Sequence, residues 1–118
     1  MRVKEDHVAG VIELSAPCII VQEVANALWK ATKLNRISDE DAKEALRALN
    51  DMRIELQELN WDQSAQALNI ACDLDLTIYD TPYIFLANEL RIPLITADKT
   101  IYETARNQFK ILHIKDYL

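Results

Sequence analysis

The chain has a single glycine among its 118 residues. That scarcity excludes a glycine-rich phosphate loop and argues against a sandwich built on many tight turns. Cysteine is almost as rare: Cys18 and Cys72 sit among apolar neighbours and lack metal-ligand spacing. Both are expected to be buried free thiols in a reducing compartment, not a disulfide or a zinc site. No apolar run approaches the length that spans a bilayer, and the opening Met1-Arg2-Val3-Lys4-Glu5-Asp6 lacks the apolar core of a secretory signal. A cytoplasmic protein without membrane contact is expected. Basic residues are outnumbered 13 to 19, and a net charge of −6 disfavours bulk electrostatic capture of nucleic acid. It leaves open an enzyme that reaches phosphate through bound cations. Half of the residues are hydrophobic, enough in a chain of this length for one core and one domain over residues 1–118.

Strand and helix patterns alternate along the chain. Val11–Leu14 reads as a brief extended segment, ended by Pro17. From Ile19 to Leu34 the apolar positions Ile20, Val24, Ala27, Leu28, Ala31 and Leu34 keep helical spacing. Glu23, Asn26 and Lys30 fall on the flank of that stripe. Ser38 is a good N-cap for a second helix with Asp39, Glu40 and Asp41 in its first turn, burying Ala42, Ala45, Leu46 and Leu49. Arg53–Leu59 alternates as a polar strand near a sheet edge. Asp62 is expected to cap a helix carrying Ala65, Leu68, Ala71 and Cys72. Thr81-Pro82 opens another, with Tyr83, Leu86, Ala87 and Leu90 inside. Leu94–Ala97 has the continuous apolar character of a strand covered on both faces. A helix over Lys99–Asn107 and a closing strand, Ile111–Ile114, complete an α/β domain with a mostly parallel sheet.

Three acids stand where apolar runs meet element ends: Glu23, Asp80 and Asp98. Ligands of parallel sheets bind beyond the carboxyl ends of the strands, where Asp98 follows Leu94–Ala97 and Asp80 opens the preceding helix. Converging carboxylates repel one another unless a cation lies between them. Hard oxygen ligands favour Mg²⁺ or Mn²⁺ over zinc, and such an ion serves phosphodiester hydrolysis well. Each acid also has a plain structural use. Asp80 suits a helix start, Asp98 a cap on the next helix, and Glu23 a solvated flank. Spacing alone leaves both open.

Three segments, Glu23-Val24-Ala25-Asn26-Ala27-Leu28, Tyr79-Asp80-Thr81-Pro82-Tyr83-Ile84-Phe85-Leu86-Ala87 and Leu94-Ile95-Thr96-Ala97-Asp98, resemble successive motifs of the PIN domain. More narrowly, they resemble the VapC-type toxins of toxin–antitoxin pairs. The similarity runs in motif order from about Asp6 to Tyr117. It implies a PIN-like three-layer αβα fold and a Mg²⁺- or Mn²⁺-dependent endoribonuclease acting on RNA, restrained by an antitoxin protein. Glu23, Asp80 and Asp98 are then the implied metal ligands and catalytic carboxylates, with Asn26 and Thr96 as supporting polar residues. Family members open with a strand ending in a further metal-ligand aspartate, then a helix. This chain shows neither that strand nor all of that helix, and Glu5 and Asp6 fall at the helix's end. The expected consequences are unpaired backbone edges inside the molecule, covered by dimerisation, strand exchange or a rearranged N-terminus, and weakened metal binding. A homodimer is expected. The alternative to an active nuclease is a catalytically impaired PIN-like domain that binds an antitoxin or drives oligomerisation.

Trp29 and Trp61 are expected in packing or a subunit contact rather than on RNA bases. Lys30, Lys33 and Arg36 make a small basic patch on the Glu23 helix whose default is a solvated face. His7 and His113 are expected as strand or surface histidines. Tyr79 and Tyr83 are expected against the sheet.

Overall fold

Side-chain caps set where three of the helices begin. Ser38 accepts a hydrogen bond from the Asp41 amide and starts α3 (Asp39–Asp51), as its sequence position predicts. The expected cap at Asp62 is displaced by Asn60, whose side chain bonds the Gln63 amide while the Gln63 side chain accepts from the Asn60 amide. That reciprocal box satisfies two orphan donors at once, so α4 starts at Trp61 and runs to Leu74. Its buried positions become Ala67 and Ala71, and the expected Ala65, Leu68 and Cys72 face solvent. With one glycine available, Asn35, Arg53, Asp75 and Arg91 take the left-handed conformation that glycine usually fills.

In the computed structural model, residues 2–10 and 12–117 are described. The order is α1 (Arg2–Val8), β1 (Ser15–Pro17), α2 (Ile20–Lys33), α3, β2 (Glu55–Gln57), α4, α5 (Thr81–Leu90), β3 (Leu94–Thr96), α6 (Lys99–Ala105), β4 (Ile111–His113) and α7 (Ile114–Tyr117). This is an α/β architecture of short parallel strands between helices. The strand expected over Val11–Leu14 lies later, at Ser15–Pro17, and Val11 itself is outside the described residues. Pro17 belongs to the strand because its missing N–H falls on the side turned away from β2.

The sheet departs from a single parallel layer. β1 pairs in parallel with β2, β3 pairs in parallel with β4, and among the described residues the two pairs do not join. Between them lies a groove of about 550 Å³, walled by Ser15, Ala16, Leu94 and Ile95 and floored by Leu86 and Leu90 of α5. Helix α5 packs on both β1 and β3 and so holds the two halves in place. Among the described residues, β1 and β3 each pair with one strand only. β3 is only half-buried, not covered on both faces.

The core lies at the α4–α5–α6 end. Ile84, Ala105 and Ile111 are buried together, with Ile70, Leu74, Leu94, Tyr102 and Phe109 packed around them. Helices α2 and α3 pack on each other, yet neither has a buried residue, so their expected stripes are only half-covered or exposed. Cys18 and Cys72 are free, as expected, but both are exposed, not buried. Trp29 and Trp61 are exposed as well, Trp61 almost wholly at 93%, with Lys33 lying over the Trp29 ring. Among the described residues no helix is long and apolar enough to cross a membrane.

His7 ties the N-terminal helix to the body. Its Nδ1 accepts from the Leu14 amide at 3.1 Å, which assigns the proton to Nε2, donated to the Met52 carbonyl at 2.6 Å. His7→Ala loses both bonds and leaves part-buried backbone groups unpaired. The expected cost is about 1–3 kcal/mol, read as a lower urea midpoint with faster amide exchange at Leu14.

Candidate functional site

The acids of interest adjoin the parallel strands: α2, with Glu23, follows β1, and Asp98 follows β3. Glu23 lies in the first turn of α2, which follows β1 after two residues, and its side chain is half-buried. Tyr83, one turn into α5, donates its hydroxyl to Glu23 Oε1 at 2.6 Å and also lines the groove between the half-sheets. Burial raises the Tyr83 hydroxyl pKa well above its ordinary value. The hydrogen bond to Glu23 and the negative charges of Glu23 and Asp80 push it further in the same direction. Asp80 thus stands within electrostatic reach of the Tyr83–Glu23 pair.

Asp80 precedes α5, and its own loop holds it. The Thr77 hydroxyl donates to Asp80 Oδ2 at 2.9 Å and accepts from the Asp80 amide at 3.2 Å. The next residue, Thr81, is fully buried, and its Oγ1 finds no partner among the described residues. Asp98 follows β3. Its amide donates to Thr96 Oγ1 at 3.0 Å, and its Oδ1 accepts from the Ile101 amide at 3.0 Å, capping α6. Asp98→Ala removes that cap. A loss of about 0.5–2 kcal/mol is expected, against no loss for Asp98→Asn, which caps as well; thermal melts of the two variants separate these outcomes.

The structure therefore brings Glu23, Tyr83 and Asp80 together, and separately brings Thr96 and Asp98 together at the end of β3. Asn26 lies exposed one turn along α2 from Glu23. Tyr83 is the residue that sequence reasoning missed. It was expected only to pack against the sheet, yet it sits three positions after Asp80, on the same side of the helix, and that spacing was the available signal.

Among the described residues no group of three or more His, Cys, Asp or Glu side chains is close enough to hold a metal ion. One Glu23 oxygen is taken by Tyr83, one Asp80 oxygen by Thr77, and one Asp98 oxygen by the α6 cap. The three carboxylates of this chain do not fit a divalent cation as a ready-made cage.

The PIN domain family model matches residues 2–107. The chain belongs to the PIN domain family. It is 29% identical over 83 residues to Exonuclease VapC9 of Pyrobaculum aerophilum, a match that covers 70% of this chain and 60% of that protein. It is 33% identical over 89 residues to Ribonuclease VapC1 of Mycobacterium tuberculosis, covering 74% of this chain and 64% of that one. The chain thus spans less than two thirds of the length of these curated relatives. The crystal structure of PAE2754 from Pyrobaculum aerophilum superposes with a TM-score of 0.74 at 22% identity, over 88% of this chain and 74% of that chain, which shows the fold. The family expected from the three motifs is the family found, and its named relatives are VapC nucleases.

Proposed function

We propose that this PIN domain chain is an endoribonuclease of a toxin–antitoxin pair, hydrolysing RNA phosphodiesters with Mg²⁺ or Mn²⁺. Glu23, Asp80 and Asp98 would be the catalytic and ion-binding carboxylates, and Asn26 and Thr96 the supporting polar groups. The observation that carries this reading is the Glu23–Tyr83–Asp80 cluster at the carboxyl end of a parallel strand, the place where α/β sheets bind ligands. Membership of the PIN family and likeness to two VapC nucleases supply the reaction class. The chain's own residues orient the acids: Tyr83 fixes the Glu23 rotamer, Thr77 fixes Asp80, and the α6 cap fixes Asp98. A divalent ion would supply charge neutralisation at the phosphate. Because the three acids do not form a closed cage, weak ion binding is expected. The same reading includes a cytoplasmic setting, a homodimer and restraint by an antitoxin protein.

One observation favours the second reading, a catalytically impaired module that binds an antitoxin or drives oligomerisation. That observation is the engagement of each carboxylate in a local bond, with no three-acid group among the described residues. Calorimetric titration of Mn²⁺, run beside cleavage of a single-stranded RNA, separates the two. Heat and cleavage in the unmodified chain, both lost in Asp80→Asn and Asp98→Asn, support the nuclease. Neither heat nor cleavage from the unmodified chain hands the function to the binding module.

A further inference from the structure

We propose that the C-terminal end of α2 is a track for single-stranded RNA, on which one base stacks on Trp29 and the neighbouring phosphates lie on Lys30, Lys33 and Arg36. The assignment deepens the nuclease reading and rests on its choice of RNA; it names the side chains that hold the strand on the Glu23 helix.

Positive charge gathers here against the balance of the whole chain. The net charge is −6, yet residues 24–38 contain no acid, the longest such stretch in the sequence. Lys30, Lys33 and Arg36 are all exposed, and none of them enters an ion pair with a described residue. On the adjoining α3, Glu40 pairs with Lys43 and Glu44 with Arg47. Favourable interaction with the helix dipole accounts for lysines at a helix end. It does not account for Trp29, which keeps 54% of its surface in water beside them, with the Lys33 ammonium 5.1 Å from the ring centroid.

Helix geometry gives the track its direction. At about 100° and about 1.5 Å per residue, Lys30 lies within about 20° of Glu23 around the α2 axis and about 10 Å further along it. Lys33 lies about 15 Å along, one turn from Trp29, and Asn26 falls between. A strand on this flank therefore runs from the stacked base toward Glu23 over a few nucleotides. The far end is fixed by the backbone. Asn35 takes the left-handed conformation and its amide donates to the Thr32 carbonyl at 3.0 Å, while the Arg36 amide donates to the Ala31 carbonyl at 2.9 Å. That paired closure holds the Arg36 backbone, and the Thr32 hydroxyl donates to the Trp29 carbonyl at 2.7 Å. Binding here orders little that is not ordered already. An unstacked base offers a π-face to the indole and a phosphate on either side to the cations. A duplex keeps its bases stacked inside and cannot use the ring. An acidic peptide meets the charges but brings no base to it. Trp61, 93% exposed, is followed by Asp62 and lacks such cations, which makes it the internal control.

The test binds a fluorescein-labelled oligouridylate of about ten nucleotides to the full chain in EDTA and follows anisotropy. Trp29→Ala is expected to weaken binding about tenfold, Trp29→Phe much less and Trp61→Ala not at all. Lys30→Gln combined with Lys33→Gln should lower the slope of log affinity against log salt by about 1.4. In a Trp61→Phe chain Trp29 is the sole tryptophan, and RNA should quench its emission. Unchanged emission at saturating RNA, or equal affinity in Trp29→Ala, would overturn the track. So would equal competition by polyglutamate or by a blunt duplex, or the absence of any RNA binding. These readouts stand apart from hydrolysis. A chain that binds as described but does not cleave RNA when Mn²⁺ is added keeps the track and loses the nuclease. A chain that cleaves, with RNA affinity untouched by these variants, keeps the nuclease and loses the track.

Discussion

Ile84→Ala is expected to be the most damaging single truncation in the chain, costing about 2–5 kcal/mol. Ile84 is 1% exposed and is the largest hydrophobic side chain so fully enclosed among the described residues. It packs with Ala105 of α6 and Ile111 of β4, so one side chain joins α5 to the β3–β4 half. Its neighbours have little room to collapse into the hole, because Ala105 is itself wholly buried and short. A domain of this size has roughly 5–15 kcal/mol of total stability, so the variant should be near its unfolding threshold. Urea unfolding is expected to show a large fall in midpoint with an unchanged slope. By contrast Leu46→Ala, on the half-covered α3, should cost much less, since that helix buries no residue fully. Equal losses at the two positions would mean that the core is not where α4, α5 and α6 meet.

Tyr83→Phe is expected to change the alkaline stability of the chain more than any other conservative substitution at the site. The Tyr83 hydroxyl has its pKa raised from 10.0, first by burial, then by the bond to Glu23 and by the charges of Glu23 and Asp80. The unfolded chain releases that proton near pH 10.0, whereas the folded chain keeps it to higher pH. The folded state therefore binds more protons in that window, and stability falls as pH rises. The contribution is complete below pH 10.0 and is lost progressively above it. In Tyr83→Phe this source of alkaline loss disappears, so the stability curve above that pH should be flatter. Near neutral pH the variant should be weaker by about 1–2 kcal/mol, the worth of a charge-assisted bond that is only half-buried. Urea midpoints at pH 7 and at pH 10 and above measure both effects. A variant as steep as the unmodified chain in alkali would separate Tyr83 from the two acids.

Much of this was legible in the sequence because it rests on local chemistry. Ser38 caps α3 as its position predicts, and Thr81-Pro82 opens α5 where proline costs no hydrogen bond. The motif residues Glu23, Asp80 and Asp98 fall at element ends as expected. Asp98 takes the capping role, one of the two uses that its sequence position left open. What was not legible depends on tertiary placement. The α4 cap moved from Asp62 to Asn60 because the reciprocal bond with Gln63 outcompetes a lone carboxylate. Cys18 and Cys72 look buried by their neighbours in sequence, but both lie on exposed faces, and apolar neighbours in sequence do not fix burial. The split of the sheet into two parallel pairs is a matter of which edges meet, and strand propensity carries no information about that. The Tyr83–Glu23 bond joins residues sixty positions apart, so the spacing from Asp80 marks Tyr83 but not its partner.

Glu23, Asp80 and Asp98, on three different elements, are proposed to serve one ion-dependent site. Paramagnetic broadening of ¹⁵N amide spectra by Mn²⁺ tests it most directly, because it reports weak binding and its location together. The expected result is that amides in the first turns of α2, α5 and α6 broaden at the same Mn²⁺ concentration, and that Asp80→Asn relieves all three. Broadening centred on Asp39, Glu40 and Asp41 at the start of α3, with the three first turns unaffected, would contradict it.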